Sequence, residues 1–318
     1  MQNSLLKYLK SHSGTIFAVS FYGLLAIFLF LYIDRLDFSQ IEAININWYY
    51  ILAATVFGIF TRYFSAYTWV AILRKLGTAN ISYSVELINV YAKAWLGRYI
   101  PGKAPWILGK IYFASKHGIS KNKLAVSSLL EGGLQIAVTF AIAFSILVVD
   151  TRTDFIDPWI RLALFGVLVA CIISITPAVF NRVLAFIYKV LRKKEFDTSH
   201  HIDGATIFTG VKLYTIASAA GGISLFLVAK AVYPEIAWQD FLYIFGVSNL
   251  ANAFSMLAIF APSGIGVKEG IQVLLLSAIM PVEIALSIAV ISRIWSIAVD
   301  FIFYGSAASN KAYRRKSS

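Results

Sequence analysis

Three stretches of this chain carry no charged residue over lengths that a soluble fold rarely tolerates: residues 14–33, 162–181 and 241–267. Each exceeds the ~18 residues that carry an α-helix across a hydrocarbon core. A mean hydropathy of +0.73 and a charged fraction of 14% extend that character to the whole chain. The pattern predicts an all-α polytopic membrane helical bundle, a single integral membrane domain over 1–318 with no sizeable soluble domain.

The charges that remain are informative by place. Lys and Arg number 28 against 16 Asp and Glu, a net +12. They cluster in loops, as the positive-inside rule and attraction to anionic lipid both require. No basic domain stands apart from the apolar runs, which argues against nucleic acid as a partner. Cys171 is the one cysteine, so no intramolecular disulfide can form. The four histidines lack metal-site spacing, and neither a metal nor a cofactor is expected.

In chain order the expected spans are 14–33 (an uncleaved first helix), 48–73, 122–149, 160–180, 205–231, 238–260 and 283–307. The second opens on the aromatic belt Trp48, Tyr49, Tyr50 and ends at Arg74 and Lys75. Asp150, Asp154 and Asp157 mark an outer loop. The basic loop 181–204 is expected inside, its first half as an amphipathic interfacial helix. Basic ends place both termini in the cytoplasm, with the protein multi-pass in a cell inner membrane.

Two stretches break the apolar pattern. Gly97–Lys110 (GRYIPGKAPWILGK) sets Arg98, Lys103 and Lys110 around Pro101, Gly102 and Pro105. A charge at the centre of a spanning helix costs ~2.5–3.5 kcal/mol on insertion scales, so such residues mark function. Broken backbone at that depth survives only against protein or a watery cavity. Trp106–Ser115, after the break, reaches only ~15 Å, half of a hydrocarbon core. A re-entrant helical hairpin is expected, turning near the midplane. The second stretch, Ala261–Gly270 (APSGIGVKEG), holds Pro262, Gly264, Gly266, Lys268 and Glu269.

The two breaks align. Pro101 precedes Glu131 by 30 residues, and Pro262 precedes Arg293 by 31. Each break is followed by a short helix and a long one with a central charge. The expectation is an inverted-topology repeat, halves about 14–150 and 159–310 joined by an outer loop 150–158, with the two tips meeting near the bilayer centre.

Arg98, Lys103 and Lys110 around one turn suit a phosphate: arginine offers a planar fork, lysine a point charge, and Gly102 lets backbone N–H groups approach. Lys268, Arg62 and Arg293 are further substrate-binding candidates. Glu131, Glu269 and Asp300 carry two readings. In one, Glu131 or Asp300 holds a coupling proton. In the other they form structural ion pairs, for example Glu131 with Arg62, Arg293 with Asp300 and Lys268 with Glu269. Ser128, Glu131, Gln135 and Thr139 share one helical face, as do Arg293, Ser296 and Asp300. Trp95 and Trp106 flank the first tip. No nucleophile–base pair stands out, so a catalytic set is not assigned.

At GRYIPGKAPWILGKIYFASKHGIS the chain resembles the lysylphosphatidylglycerol synthase transmembrane region, a flippase-like integral membrane family. The matching residues are Arg98, Tyr99, Pro101, Gly102, Lys103, Gly118-Ile119-Ser120, Glu131, and late in the chain Pro262, Gly264, Gly266 and Glu269. The resemblance implies handling of aminoacylated phospholipid or lipid-linked glycan. Two departures stand out: a second proline follows the first tip, and about ten residues follow the last helix, so no soluble aminoacyl-transferase domain is expected. The expected function is a flippase-like transporter or handler of an anionic phospholipid or polyprenyl-phosphate-linked lipid. A membrane-embedded lipid-phosphate-modifying enzyme and a non-transporting subunit of an envelope assembly are the alternatives, and an oligomer is left open.

Overall fold

The structure, a computed structural model, describes residues 45–78, 84–100, 104–153, 157–192, 202–258 and 261–317. The expected first helix at 14–33, the tip residues Pro101, Gly102 and Lys103, Asp154 in the outer loop and the stretch 193–201 lie outside them. Among the described residues all regular structure is helical. In chain order the helices are α1 (Trp48–Lys75), α2 (Ser84–Leu96), α3 (Ala104–Ser115), α4 (Lys121–Leu147), α5 (Pro158–Ser174), α6 (Pro177–Arg192), α7 (Gly204–Val232), α8 (Phe241–Leu257), α9 (Val267–Leu276) and α10 (Val282–Ser317). Short 3-10 turns, Gly97–Tyr99 and Pro262–Gly264, sit at the two expected breaks.

Helices α1, α4, α7 and α10 (over Val282–Ser309) are long and apolar enough to cross a membrane. Helices α5 and α6 qualify only as a pair, bent by 84°. The expected span 160–180 therefore ends at Ser174. Pro177 accounts for the stop: it lacks an N–H and disfavours helical backbone in the residue before it. Past the bend α6 buries Leu184 and leaves Val183 and Phe186 exposed. Asn181 anchors it through a pair of 2.9 Å hydrogen bonds to the backbone N–H and C=O of Ile202.

Contacts at the helix ends define two faces of the bundle. At one, the N–H of Asn47 donates to the carbonyl of Ala231, joining the start of α1 to the end of α7. Arg152, just after α4, pairs there with Asp240, just before α8. At the other, Lys123 donates to the carbonyl of Gly77, joining the end of α1 to the start of α4. The first broken pair, α2 and α3, begins and ends at this second face, where His117 sits 3.0 Å from Glu86. The second pair, α8 and α9, begins and ends at the first face: Tyr243 near the start of α8 donates to the carbonyl of Leu275 near the end of α9. Both hairpins turn back, from opposite ends of the bundle.

Helix α1 packs along α7. Around them contacts come in matched sets: α8 with α4 and α2 with α10; α7 with α8 and α1 with α2; α9 with α10 and α3 with α4; α4 with α7 and α10 with α1. Exchanging α1 with α7, α2 with α8, α3 with α9 and α4 with α10 maps this set onto itself. The two 3-10 turns touch each other at the middle.

Candidate functional site

Each tip is shaped by a residue that tolerates no side chain. A Cβ at Gly97 would lie 2.9 Å from the carbonyl carbon of Pro105, so the chain before the first break passes directly against the start of α3. Pro105 itself sits in the first turn of α3, where its missing N–H costs nothing; the second proline is thus absorbed. At the second break Ser263, Gly264 and Gly266 adopt left-handed backbone, φ 51°, 70° and 82°. A Cβ at Gly264 would come within 1.9 Å of the Ser255 hydroxyl. Glu269 caps α9 by accepting from the N–H of Gly266 at 2.7 Å. From α10, Arg293 donates to the carbonyl of Ser263 at 3.0 Å and lies 3.5 Å from Glu269.

Between the touching tips and α1, α4, α7, α8 and α10 lies a cavity of about 540 Å³. Arg62, Arg98 and Lys268 line it, and no carboxylate is among its described lining residues. Most of its polar wall is neutral: serine and threonine hydroxyls, and the amides of Gln135, Asn252 and Gln272. Trp95, Trp106 and Gln272 each bury a side-chain N–H with no hydrogen-bond partner among the described residues.

The two lining arginines differ in availability. Fully buried Asp300 accepts from Arg62 Nε at 2.8 Å and from the Tyr99 hydroxyl at 2.6 Å. Arg62 also donates to the Ser296 hydroxyl at 2.7 Å and to the carbonyls of Gly58 and Ser296. Its fork is spent on the protein. Arg98 lies 3.8 Å from Asp300, stacks 4.4 Å from the centre of the Trp95 ring, and leaves 21% of its side chain exposed against 10% for Arg62. Lys268 has no ion pair or hydrogen bond among the described residues.

The ion pairs differ from those expected. Glu131 pairs with Lys110, not Arg62; Asp300 pairs with Arg62 and Arg98, not Arg293; Glu269 pairs with Arg293, not Lys268. Helix rotation decides this, and neighbours in sequence or charge order do not reveal it. Lys110 is enclosed away from the cavity: its ammonium meets Glu131 inside a box of Trp106, Tyr91 and Trp69 rings. Tyr91 donates to the other Glu131 oxygen at 2.7 Å. Glu131 thus turns off the face whose other members, Ser128, Gln135 and Thr139, reach the cavity. Arg293 likewise serves the second tip and is not a lining residue. Sequence reasoning missed Gln272, although it lies one turn after Lys268 on the same face. Tyr91 had no signal among 17 tyrosines.

A family model described as the Lysylphosphatidylglycerol synthase TM region matches residues 15–303. The chain belongs to that family. No curated protein matches it. As a member of the lysylphosphatidylglycerol synthase transmembrane family, it is a multi-pass membrane protein of lipid or envelope handling. The family match spans both breaks and the cavity between them. Among the described residues no group of His, Cys, Asp and Glu is arranged to hold a metal ion.

Proposed function

We propose that this protein is a flippase-like transporter of an anionic lipid, holding the phosphate of the head group in the central cavity while the tails stay in the bilayer. The observation that carries the reading is the wall of the cavity: among its described residues, three cations, no carboxylate, and buried N–H groups without acceptors. Phosphate oxygens satisfy such a set. Arg98 from the first tip and Lys268 from the second are the groups with donors left to bind it; Asp300, itself held by Arg62 and Tyr99, keeps Arg98 in place. A volume of about 540 Å³ suits a head group.

The reading includes an inverted repeat. Its support is the self-matching set of helix contacts and the opposed hairpins. Ligand sites at the meeting of broken helices suit alternating access, in which one half rocks against the other. Basic residues Lys75, Lys121 and Lys123 gather at the face where α1 ends, which supports placing that face in the cytoplasm of an inner membrane.

The experiment is translocation in proteoliposomes, using fluorescent phosphatidylglycerol and a fluorescent polyprenyl phosphate with an impermeant quencher. The intact protein should move at least one of them. Arg98→Ala and Lys268→Ala should each slow movement about tenfold or more, with unchanged thermal unfolding in detergent. If neither lipid moves, the transporter reading is wrong; if the lipid is chemically converted instead, an enzyme takes its place.

A further inference from the structure

Resting on the transporter reading, we propose that transport is proton-coupled: Glu131 takes up a proton from the cavity through the Tyr214 hydroxyl, and that uptake loosens the first hairpin from α4 so that the tips can part.

Asp300 and Glu269 face guanidiniums, Arg62 and Arg98 for the first and Arg293 for the second. A guanidinium does not give up its proton in a protein. Glu131 faces an ammonium instead, that of Lys110, and both partners of such a pair exchange protons. Ionisable groups at membrane depth that do so are the parts of proton relays. The surroundings of Glu131 supply the route. From α2, Tyr91 donates to one carboxylate oxygen at 2.7 Å, while Lys110 of α3 meets the other. From α7 comes Tyr214, whose buried hydroxyl has no hydrogen-bond partner among the described residues. Glu131 is the charge that acts on that hydroxyl. Tyr214 also lines the cavity, which Glu131 does not. A phenol both donates and accepts, so it can hand a proton across. From α1 the Trp69 ring faces Lys110, and from the first tip Arg98 acts on Tyr91. Helices α5 and α8 bring Arg161 and Tyr243 near the far end of α4, beside Leu147 and Arg152, about four helical turns from Glu131.

The step balances as a relay. A hydronium admitted to the cavity gives a proton to the Tyr214 oxygen as Tyr214 passes its own to Glu131. An O–H bond forms on the carboxyl, the phenol is restored and water is left behind. Glu131 is now neutral, and Lys110 has lost its counter-ion inside its box of rings. A buried pair that loses one charge disfavours the packing that encloses the other. This pair is the tie between α3 and α4, so the first hairpin is the element released. The ligand site is linked to the same pair. The Tyr91 ring stacks 5.7 Å from Trp95, and Trp95 carries Arg98 at 4.4 Å. A phosphate that draws on Arg98 therefore acts on the residues holding Glu131, and by linkage the proton acts on the phosphate.

The test is translocation of fluorescent phosphatidylglycerol and fluorescent polyprenyl phosphate by the full chain in proteoliposomes, with the membrane potential clamped by potassium and valinomycin. A gradient of about two pH units should speed movement at least about tenfold in one direction and slow it when reversed. A protonophore should erase the difference. Tyr214→Phe keeps the ring and lacks the hydroxyl; it should unfold in detergent like the intact protein and lose the response to the gradient. Lys110→Met combined with Glu131→Leu should lose it too, and this double variant serves where Glu131→Gln alone does not fold. Lipid movement that ignores the gradient in the intact protein overturns the coupling and leaves the transporter reading standing. A full gradient response in Tyr214→Phe or in the double variant overturns the relay through Tyr214 and Glu131. If neither lipid moves under any gradient, the transporter reading fails and the coupling with it.

Discussion

Lys110 and Lys268 carry the same ammonium in opposite settings. Lys110 is fully enclosed and neutralised by Glu131; Lys268 lines the cavity with no ion pair among the described residues. Removing one partner of a buried pair strands the other charge, at about 3–5 kcal/mol, whereas replacing both by apolar groups is often neutral. Glu131→Ala should therefore destabilise the protein strongly. Lys110→Met combined with Glu131→Leu should recover most of the loss, as read from denaturant or thermal unfolding in detergent. A double variant no more stable than the single one would show that the pair does not act as a unit. Gly264→Ala poses a different problem. The added methyl meets Ser255 in a backbone conformation that costs an L-residue about 1–2 kcal/mol. Adding Ser255→Gly should relieve the clash but not the backbone strain, so unfolding stability should return only in part.

At the scale of elements, the helices start and stop where local chemistry directs. Asp203 caps α7, accepting from the N–H of Thr206 at 2.8 Å. Its bonds to the hydroxyl and N–H of Thr206 hold the Asp203 carboxyl below its usual value of 3.8. A carboxyl depressed in the folded state stabilises above its unfolded pKa, and the contribution fades as pH falls through the folded value. The first turn of α7 should therefore exchange its amide hydrogens more readily, relative to the intrinsic rate, as pH drops below about 3.8. Asp203→Asn keeps a capping oxygen and should remove that pH dependence. If exchange at Thr206 follows the same pH course in both proteins, Asp203 is not the group responsible. The short elements α3 and α9 depend on their long neighbours. Each is tied by one ion pair to the helix that follows, Lys110 to Glu131 and Glu269 to Arg293. The polarity of the tie is reversed between the two.

For the whole molecule, the consequence is a cavity with unlike walls inside a frame whose helix contacts come in matched sets. Each tip supplies a different cation to the cavity, Arg98 from the first and Lys268 from the second. Transport by rocking requires the touching turns Gly97–Tyr99 and Pro262–Gly264 to part. With Cys171 replaced, cysteine pairs between these turns, joined by a short cross-linker, should stop translocation while head-group binding persists. Full translocation with the tips locked would rule out motion at that contact.

Much of the frame was legible in the residues. Uncharged runs marked helices, and Pro-Gly clusters marked both breaks. These features are local or periodic, and backbone chemistry dictates them from neighbouring residues alone. The bend after Ser174 was missed because hydropathy continues past it. The partners of the buried charges were not legible either. Which carboxylate meets which cation depends on how each helix is rotated against its neighbours, and packing across hundreds of residues sets that. The sequence alone therefore determined a helical membrane protein with two charged, broken hairpins. Only the tertiary structure decided that Glu131 and Lys110 cancel in an aromatic box, that Arg62 is spent on Asp300, and that Arg98 and Lys268 are left facing a cavity between the tips.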